Sequence, residues 1–264
     1  MMKKVISIFL LCVCLITSFC SCEKINDLVD GIIDGNINYT EGLGSYVIED
    51  SECVVSIGSA KELEKIVIPK KIDGNKVVAI DERGFAFLEN LKTVSVPKGV
   101  YYIGDEAFMY SSALEEISLP EGVTHIGRSA FNGCRALREI KLSEGLTEIE
   151  ERTFYFCNSL THIDLPSTLT SIGTNAFTGC AFTEVTIPEG VTYIGEYAFS
   201  GCQSLKKVYI PESARVSRYV FNVCDSLETV VYGGTREQWE EMMRDNQYGT
   251  EDKCYDGVEI VFEK

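Results

Sequence analysis

Residues 154–176 read FYFCNSLTHIDLPSTLTSIGTNA, and most of the remaining chain repeats this pattern. Phe85, Phe108, Phe131, Phe154, Phe177, Phe199 and Phe221 recur at intervals of 23, 23, 23, 23, 22 and 22 residues. All six prolines (Pro69, Pro97, Pro120, Pro166, Pro188, Pro211) mark one point of the same unit, which Ser143 and Gly233 occupy in two others. A fixed period of about 20–29 residues on an L-x-x-L-x-L core is the signature of a leucine-rich solenoid. Within the quoted unit, Leu160, Ile163 and Leu165 follow that core pattern. The alternation predicts a short strand with Ile163 and Leu165 facing in and Asp164 facing out. Pro166 ends the strand because it has no N–H for a parallel ladder. Leu169 and Ile172 then form a second inward strand and Gly173 a tight turn. Ala176-Phe177 packs back from a short helical or irregular segment.

The units A-F-x-G-C-x-x-L-x-x-I-x-L-P-x-G-V-T-x-I-G resemble the Treponema-type, BspA-like leucine-rich repeats. Residues 130–150, AFNGCRALREIKLSEGLTEIE, and 198–211, AFSGCQSLKKVYIP, carry the match. IVIPKKIDGNKVVAI and VVYGGTREQWEEM are similar to opening and closing units of such proteins. Ser143, Glu150, the Ala181-Phe182 contraction and the shortened Ser213–Ser217 stretch depart from the pattern. The resemblance implies a β-solenoid of parallel strands with little helix, built from about eight units of 22–28 residues over 60–231. It also implies a surface protein of anaerobic host-associated bacteria, of a kind linked to adhesion to host matrix proteins or other cells.

Working outward, residues 46–59 alternate in two runs around Asp50-Ser51-Glu52, the pattern of a hairpin that caps the first rung. Residues 232–264 form the other cap. There Thr235 and Gln238 make a capping box, Trp239, Met242 and Met243 share one helical face, and Val258, Ile260 and Phe262 alternate as a strand. Residues 22–45 are polar and glycine-containing, the composition of a tether. Residues 1–21 have the basic start and short apolar run of a secretory signal peptide. Phe19-Cys20-Ser21-Cys22 looks like a bacterial lipobox, which implies cleavage before Cys22 and lipidation of its sulfur. Localisation is therefore expected at the bacterial envelope, at the outer membrane or cell surface, with membrane contact through the lipid anchor alone.

The net charge of −16 becomes −18 once a leader carrying Lys3 and Lys4 is removed. Such an acidic chain has no basic footprint for nucleic acid or an anionic membrane surface. Cys134, Cys157, Cys180, Cys202 and Cys224 each follow a repeat phenylalanine by three residues. One per rung, they form a line of parallel side chains, read as inward free thiols behaving as small hydrophobes. Metal ligands would have to converge on a point, so no metal and no cofactor is assigned. His125 and His162 are the only histidines, and neither lies in an H-E-x-x-H motif. Glu116, Glu139, Asp164 and Glu184 line the open face, where one- and two-rung separations fall within glycosidase range. An open sheet does not raise a carboxyl pKa as a catalytic cleft does, so no catalytic residue is assigned and the chain reads as a non-enzyme.

Binding is the remaining class. The candidate surface is the concave sheet, with Glu116, Glu139, Lys141, His162, Asp164, Glu184, Lys207 and Tyr209 as ligand-binding residues. They belong to two columns, Lys65, Thr93, Glu116, Glu139, His162, Glu184, Lys207, Thr229 and Val67, Ser95, Ser118, Lys141, Asp164, Thr186, Tyr209, Val231, both expected to face solvent. The acidic stripe suits a basic segment of a host or bacterial protein. The alternative is a glycan-binding lipoprotein of a nutrient-uptake system, using Tyr102, Tyr193 and Tyr209.

Overall fold

The computed structural model describes residues 40, 42–49, 51–58, 62–245, 255 and 257–264. The signal peptide, Cys22, the tether up to residue 39 and Cys254 lie outside them. The chain winds into a β-solenoid, most turns of which contribute two short strands and one turn-rich side. The first strands, Lys65–Val67, Thr93–Ser95 and Glu116–Ser118, pair in parallel and in register. Farther along, Glu184–Thr186, Lys207–Ile210 and Thr229–Tyr232 pair the same way, and Glu259–Phe262 adds to the end. The second strands form another pair of ladders. One runs through Asn75–Ile80, Tyr102–Ile103 and His125–Ile126, the other through Glu148–Ile149, Ser171–Ile172, Tyr193–Ile194 and Arg215–Val216.

Both ladders part in mid-stack. In the second ladder the amides of Gly104, Gly127, Gly173 and Gly195 each donate to the carbonyl one rung back, at 2.7–2.9 Å. A Cβ on any of these four glycines would lie 2.6–2.7 Å from a backbone nitrogen of the preceding rung. Glu150 occupies this column and does carry a Cβ. In the glycine geometry that Cβ would strike the preceding rung, and it is at this unit that the ladder breaks, between His125–Ile126 and Glu148–Ile149.

The first ladder parts one step later. A single bridge joins Glu116 to Glu139, and residues 161–166 form no strand. The strand expected at Ile163 and Leu165 is therefore absent, although both side chains still pack, partly buried, against the core. The next unit has only Ala181 between Cys180 and Phe182, where this one has Asn158 and Ser159 between Cys157 and Leu160. Phe182 fills the leucine column edge-on to Phe177, 5.7 Å between centroids. The strand that follows, Glu184–Thr186, pairs only onward, with Lys207–Tyr209.

The third side carries the stack across this gap. The amides of Phe85, Phe108, Phe131, Phe154, Phe177 and Phe199 each donate to the next rung at 2.7–2.9 Å, without interruption. So do the amides two residues before and after each phenylalanine, for example Arg152 to Thr174 (3.0 Å) and Phe156 to Thr178 (2.8 Å). These flanking residues sit at positive φ, with Arg152 at 56° and Phe156 at 55°. A left-handed residue costs about 1–2 kcal/mol in a non-glycine. Here it turns the amide along the solenoid axis, where it makes a bond that a helix would direct elsewhere. The expected helical or irregular segment is thus a regular ladder of turns.

Inside, the seven repeat phenylalanines form one column. Successive ring centroids are 5.2–5.8 Å apart and the planes lie within 21° of each other. All are 0–1% exposed. Ala107, Ala130, Ala176 and Ala198 are fully buried beside them, and Thr153 and Val220 fill the same column in two other rungs. At one end, Gly44–Glu49 and Glu52–Ser56 form an antiparallel hairpin whose second strand joins Asn75–Ile80 in parallel. At the other, Thr235 and Gln238 exchange amide-to-side-chain bonds at the start of the helix Arg236–Asp245. Trp239, 7% exposed, packs from this helix against Tyr232 and Tyr255, closing the last rung.

Candidate functional site

The concave face follows from strand alternation. Val94, Ile117, Ile140, Val185 and Val208 are 0–5% exposed, so the residues on either side of each point the other way. In the first column Glu139, His162 and Glu184 are exposed, and Glu116 and Lys207 are half-buried. In the second, Lys141, Asp164 and Thr186 are exposed and Tyr209 is half-buried. Ser95, Ser118 and Val231 are buried, at 5–8% exposure, which corrects the expectation that this whole column faces solvent. A serine side chain has two heavy atoms and does not rise past its longer neighbours on the inner side of a sheet. The open part of the face is therefore its middle, from Glu139 to Thr186, where the ladder parts.

Several local contacts organise this middle. His162 Nε2 lies 3.0 Å from Asp164 Oδ1, an ion pair when the imidazole is protonated. Lys141 Nζ lies 3.9 Å from Glu121, outside the sheet. At the C-terminal edge Lys207 Nζ sits 4.5 Å above the Tyr209 ring. Contact with Tyr209 holds this ammonium above the usual lysine range, and Glu184 on the neighbouring strand adds to the effect. The eight candidate residues thus share one face, but only five (Glu139, Lys141, His162, Asp164, Glu184) are fully open to a partner. Tyr102 and Tyr193 are exposed on the second ladder, away from Tyr209 on the first.

The cysteine column is buried and its thiols are free. Each Sγ lies 3.1–3.3 Å from the carbonyl of the phenylalanine one rung back, and Ser111 makes the same contact with its hydroxyl, 2.7 Å from Phe85 O. The thiol is a small hydrophobe that also satisfies a buried carbonyl, a role the spacing alone did not reveal. Burial pushes the thiols of Cys134, Cys157, Cys180 and Cys202 well above the usual range, so they stay protonated and inert.

One group of metal-type donors arises at Glu150, where the second ladder breaks. His125, Glu148 and Glu150 bring one ligand atom each within 4.8 Å of the others. The His125 ring stacks on Tyr102 (4.4 Å, 12°) and its Nε2 lies 3.6 Å from Glu150. Burial holds the Glu150 carboxyl above its ordinary value, opposed by His125 and reinforced by Glu148. The sequence separates His125 from Glu150 by a full repeat, so no motif announced the group.

Two open cavities lie near the N-terminal cap. One, of about 290 Å³, is lined by Tyr46, Asp81, Glu82, Tyr102 and Asp105 among others. The second, of about 390 Å³, is lined by Lys70, Lys71, Lys76 and Lys98 with Glu52 and Tyr101. The stretch IVIPKKIDGNKVVAI contains Lys70, Lys71 and Lys76, but the sequence alone does not show the pairing that brings them to one cavity.

Comparison with known proteins agrees with this geometry. The BspA type leucine-rich repeat region matches in six copies, over residues 58–181 and 134–246. Among solved structures, a leucine-rich repeat protein from Bacteroides ovatus is 28% identical, with a TM-score of 0.53. The match covers 75% of this chain and 47% of that one, so the chain spans about half of that relative's length. The leucine-rich repeat protein of T. pallidum is 24% identical over 81% of this chain and 97% of that one, with a TM-score of 0.51, and shares the fold. A leucine-rich cell surface protein from Faecalibacterium prausnitzii is 19% identical over 79% and 98% of the two chains, with a TM-score of 0.43. A search of curated proteins returned no match. Repeat register, solenoid winding and family match coincide over the same residues, and the chain belongs to the BspA-type leucine-rich repeat family.

Proposed function

We propose that this chain is a non-enzymatic binding protein displayed at the bacterial surface. A lipid on Cys22 holds it there, and it captures a protein ligand on the middle of its concave face. The observation that carries this reading is the exposure of Glu139, His162, Asp164 and Glu184, together with Lys141, on adjoining rungs of an otherwise well-packed sheet. Residues that serve only the fold would be covered as Ser95 and Ser118 are. The face is open rather than cleft-like, so it suits an extended partner better than an enclosed substrate. Its predominant charge is negative, which favours a basic segment and steers its approach. Among the described residues no helix is long and apolar enough to cross a membrane.

The test is charge reversal. Glu139→Lys with Glu184→Lys leaves the fold intact, because both side chains are exposed and neither forms an ion pair. It should weaken adhesion to immobilised matrix protein and flatten its dependence on salt, mainly through slower association. Unchanged binding at both low and high salt removes the concave face from consideration. Cys22→Ala separately tests the anchor, by abolishing palmitate labelling and releasing the protein from the membrane fraction. Labelling that persists in this variant rejects Cys22 as the lipidated residue.

A further inference from the structure

The first unit differs from the others in carrying an extra hairpin, and that hairpin is cationic. Lys71-Ile72 pairs antiparallel with Asn75-Lys76, and the register sets Lys71 directly opposite Lys76. Like charges directly opposite across an antiparallel pair are destabilising. Neither lysine forms an ion pair, and both are exposed. Lys70, just before the hairpin, is fixed by its carbonyl, which accepts from Val77 N at 2.9 Å. Lys98 arrives from the next unit, at the turn Pro97-Lys98-Gly99. These four lysines share the cavity of about 390 Å³ with Val77, Val78, Gly99, Tyr101 and one carboxylate among the described lining residues, Glu52. In a chain with 40 acidic and 24 basic residues, the exposed pair Lys71 and Lys76 runs against the overall charge.

We propose that this cavity is a binding site for an anionic saccharide, a sugar carrying carboxylate or sulfate groups. Its volume is within the range of about 300–1,000 Å³ typical of small-molecule sites. The lysine ammoniums are point charges on flexible stems, spread around the wall. They suit a ligand whose charges are separated, as on successive sugars. A single phosphate is instead gripped by converging backbone amides at a helix N-terminus or nest. The wall here joins strand residues (Glu52, Lys71, Lys76, Val77, Val78) to the non-strand residues Lys70, Lys98, Gly99 and Tyr101, and no helix terminus enters it. Tyr101, 44% exposed, supplies a ring on which a sugar face can lie. The Lys71–Lys76 repulsion is then relieved when a ligand anion sits between them. The site is separate from the concave face and does not depend on that reading.

The experiment is calorimetric titration of the full chain with three tetrasaccharides: a uronic acid oligomer, a heparin-derived oligomer and neutral cellotetraose. Inorganic sulfate and adenosine monophosphate are titrated alongside. At least one acidic tetrasaccharide should bind, with affinity falling as salt rises, and the neutral one should not. Which acidic oligomer binds separates carboxylate from sulfate recognition. The double variant Lys71→Gln/Lys76→Gln should lose about tenfold or more in affinity while melting no lower than the parent, because a like-charge pair has been removed. Tyr101→Ala should weaken the saccharide and leave any sulfate binding unchanged. The proposal is overturned if no acidic saccharide binds, if the lysine variant binds as the parent does, or if Tyr101→Ala has no effect. Adenosine monophosphate binding more tightly than either acidic tetrasaccharide would assign the cavity to another ligand class.

Discussion

Replacing Phe154 by alanine tests whether the phenylalanine column is the spine of this molecule. The ring is fully buried between Phe131 and Phe177, at 5.5 and 5.4 Å and within 2° of parallel to both. A buried Phe→Ala change costs about 3–5 kcal/mol, and an aromatic pair contributes about 0.5–1.5 kcal/mol beyond area burial. With a stacked partner on each side, Phe154 belongs in the upper half of that range. Phe221 has one stacked neighbour, Phe199 at 5.8 Å, and meets Tyr255 edge-on at 6.1 Å. Its rung is also less well covered, with Cys224 and Leu227 at 9% and 8% exposure. Phe221→Ala should therefore cost about 1 kcal/mol less than Phe154→Ala. The comparison is made by equilibrium urea unfolding followed by circular dichroism. The position matters as well as the contacts, because each rung of a solenoid is stabilised only by its neighbours. A mid-stack cavity weakens two interfaces, whereas one at the end mainly frays the last rung. Equal losses at the two sites would refute nearest-neighbour behaviour.

Two further outcomes follow from buried and displaced groups. Glu150 has its carboxyl held above the ordinary value by burial, so the folded state binds a proton more readily than the unfolded one. The charged form is therefore destabilising, fully so above the folded pKa and not at all below the unfolded one. Glu150→Gln should be more stable than the parent at pH 7 and lose that advantage as pH falls through the acid range. Thermal melts across pH check this, and an advantage that grows on acidification contradicts it. The thiols of Cys134, Cys157, Cys180 and Cys202 should react slowly with a thiol reagent in the folded, unreduced protein and rapidly on denaturation. Immediate reaction in the native state, or a mass-mapped bridge between adjacent rungs, argues against the buried ladder.

The parts of the fold that could be read from sequence are those where one column asks for one kind of residue. Phenylalanine, leucine and proline recur because every rung presents the same dry interior and the same strand end to its neighbours. The third side was not legible for the opposite reason. Its left-handed positions are filled by Arg83, Glu106, Tyr110, Arg152, Phe156 and Tyr219, among others, none of which advertises positive φ as glycine would. What holds them is the inter-rung amide bond, and that bond exists only once the coil has formed. Departures from the repeat were visible, but their effects were not. Glu150 marks a local exception in the sequence, yet a Cβ in its column faces the backbone of a rung more than 20 residues away in the chain. The contraction at Ala181-Phe182 likewise adjoins the unit that has no first strand. The direction of the concave columns could be read from alternation, whereas the covering of Ser95 and Ser118 could not. The cationic cavity lay furthest from view, since it needs a hairpin to set Lys71 against Lys76 and a second rung to bring Lys98. Repetition specifies the scaffold, so each residue that breaks it must be explained by local physics or by a ligand. For Glu150 the local account already contains a cost, a lost ladder bond and a partly buried carboxylate. For Lys71 and Lys76 it contains a cost with no structural return, and that asymmetry makes the hairpin the place to look for chemistry.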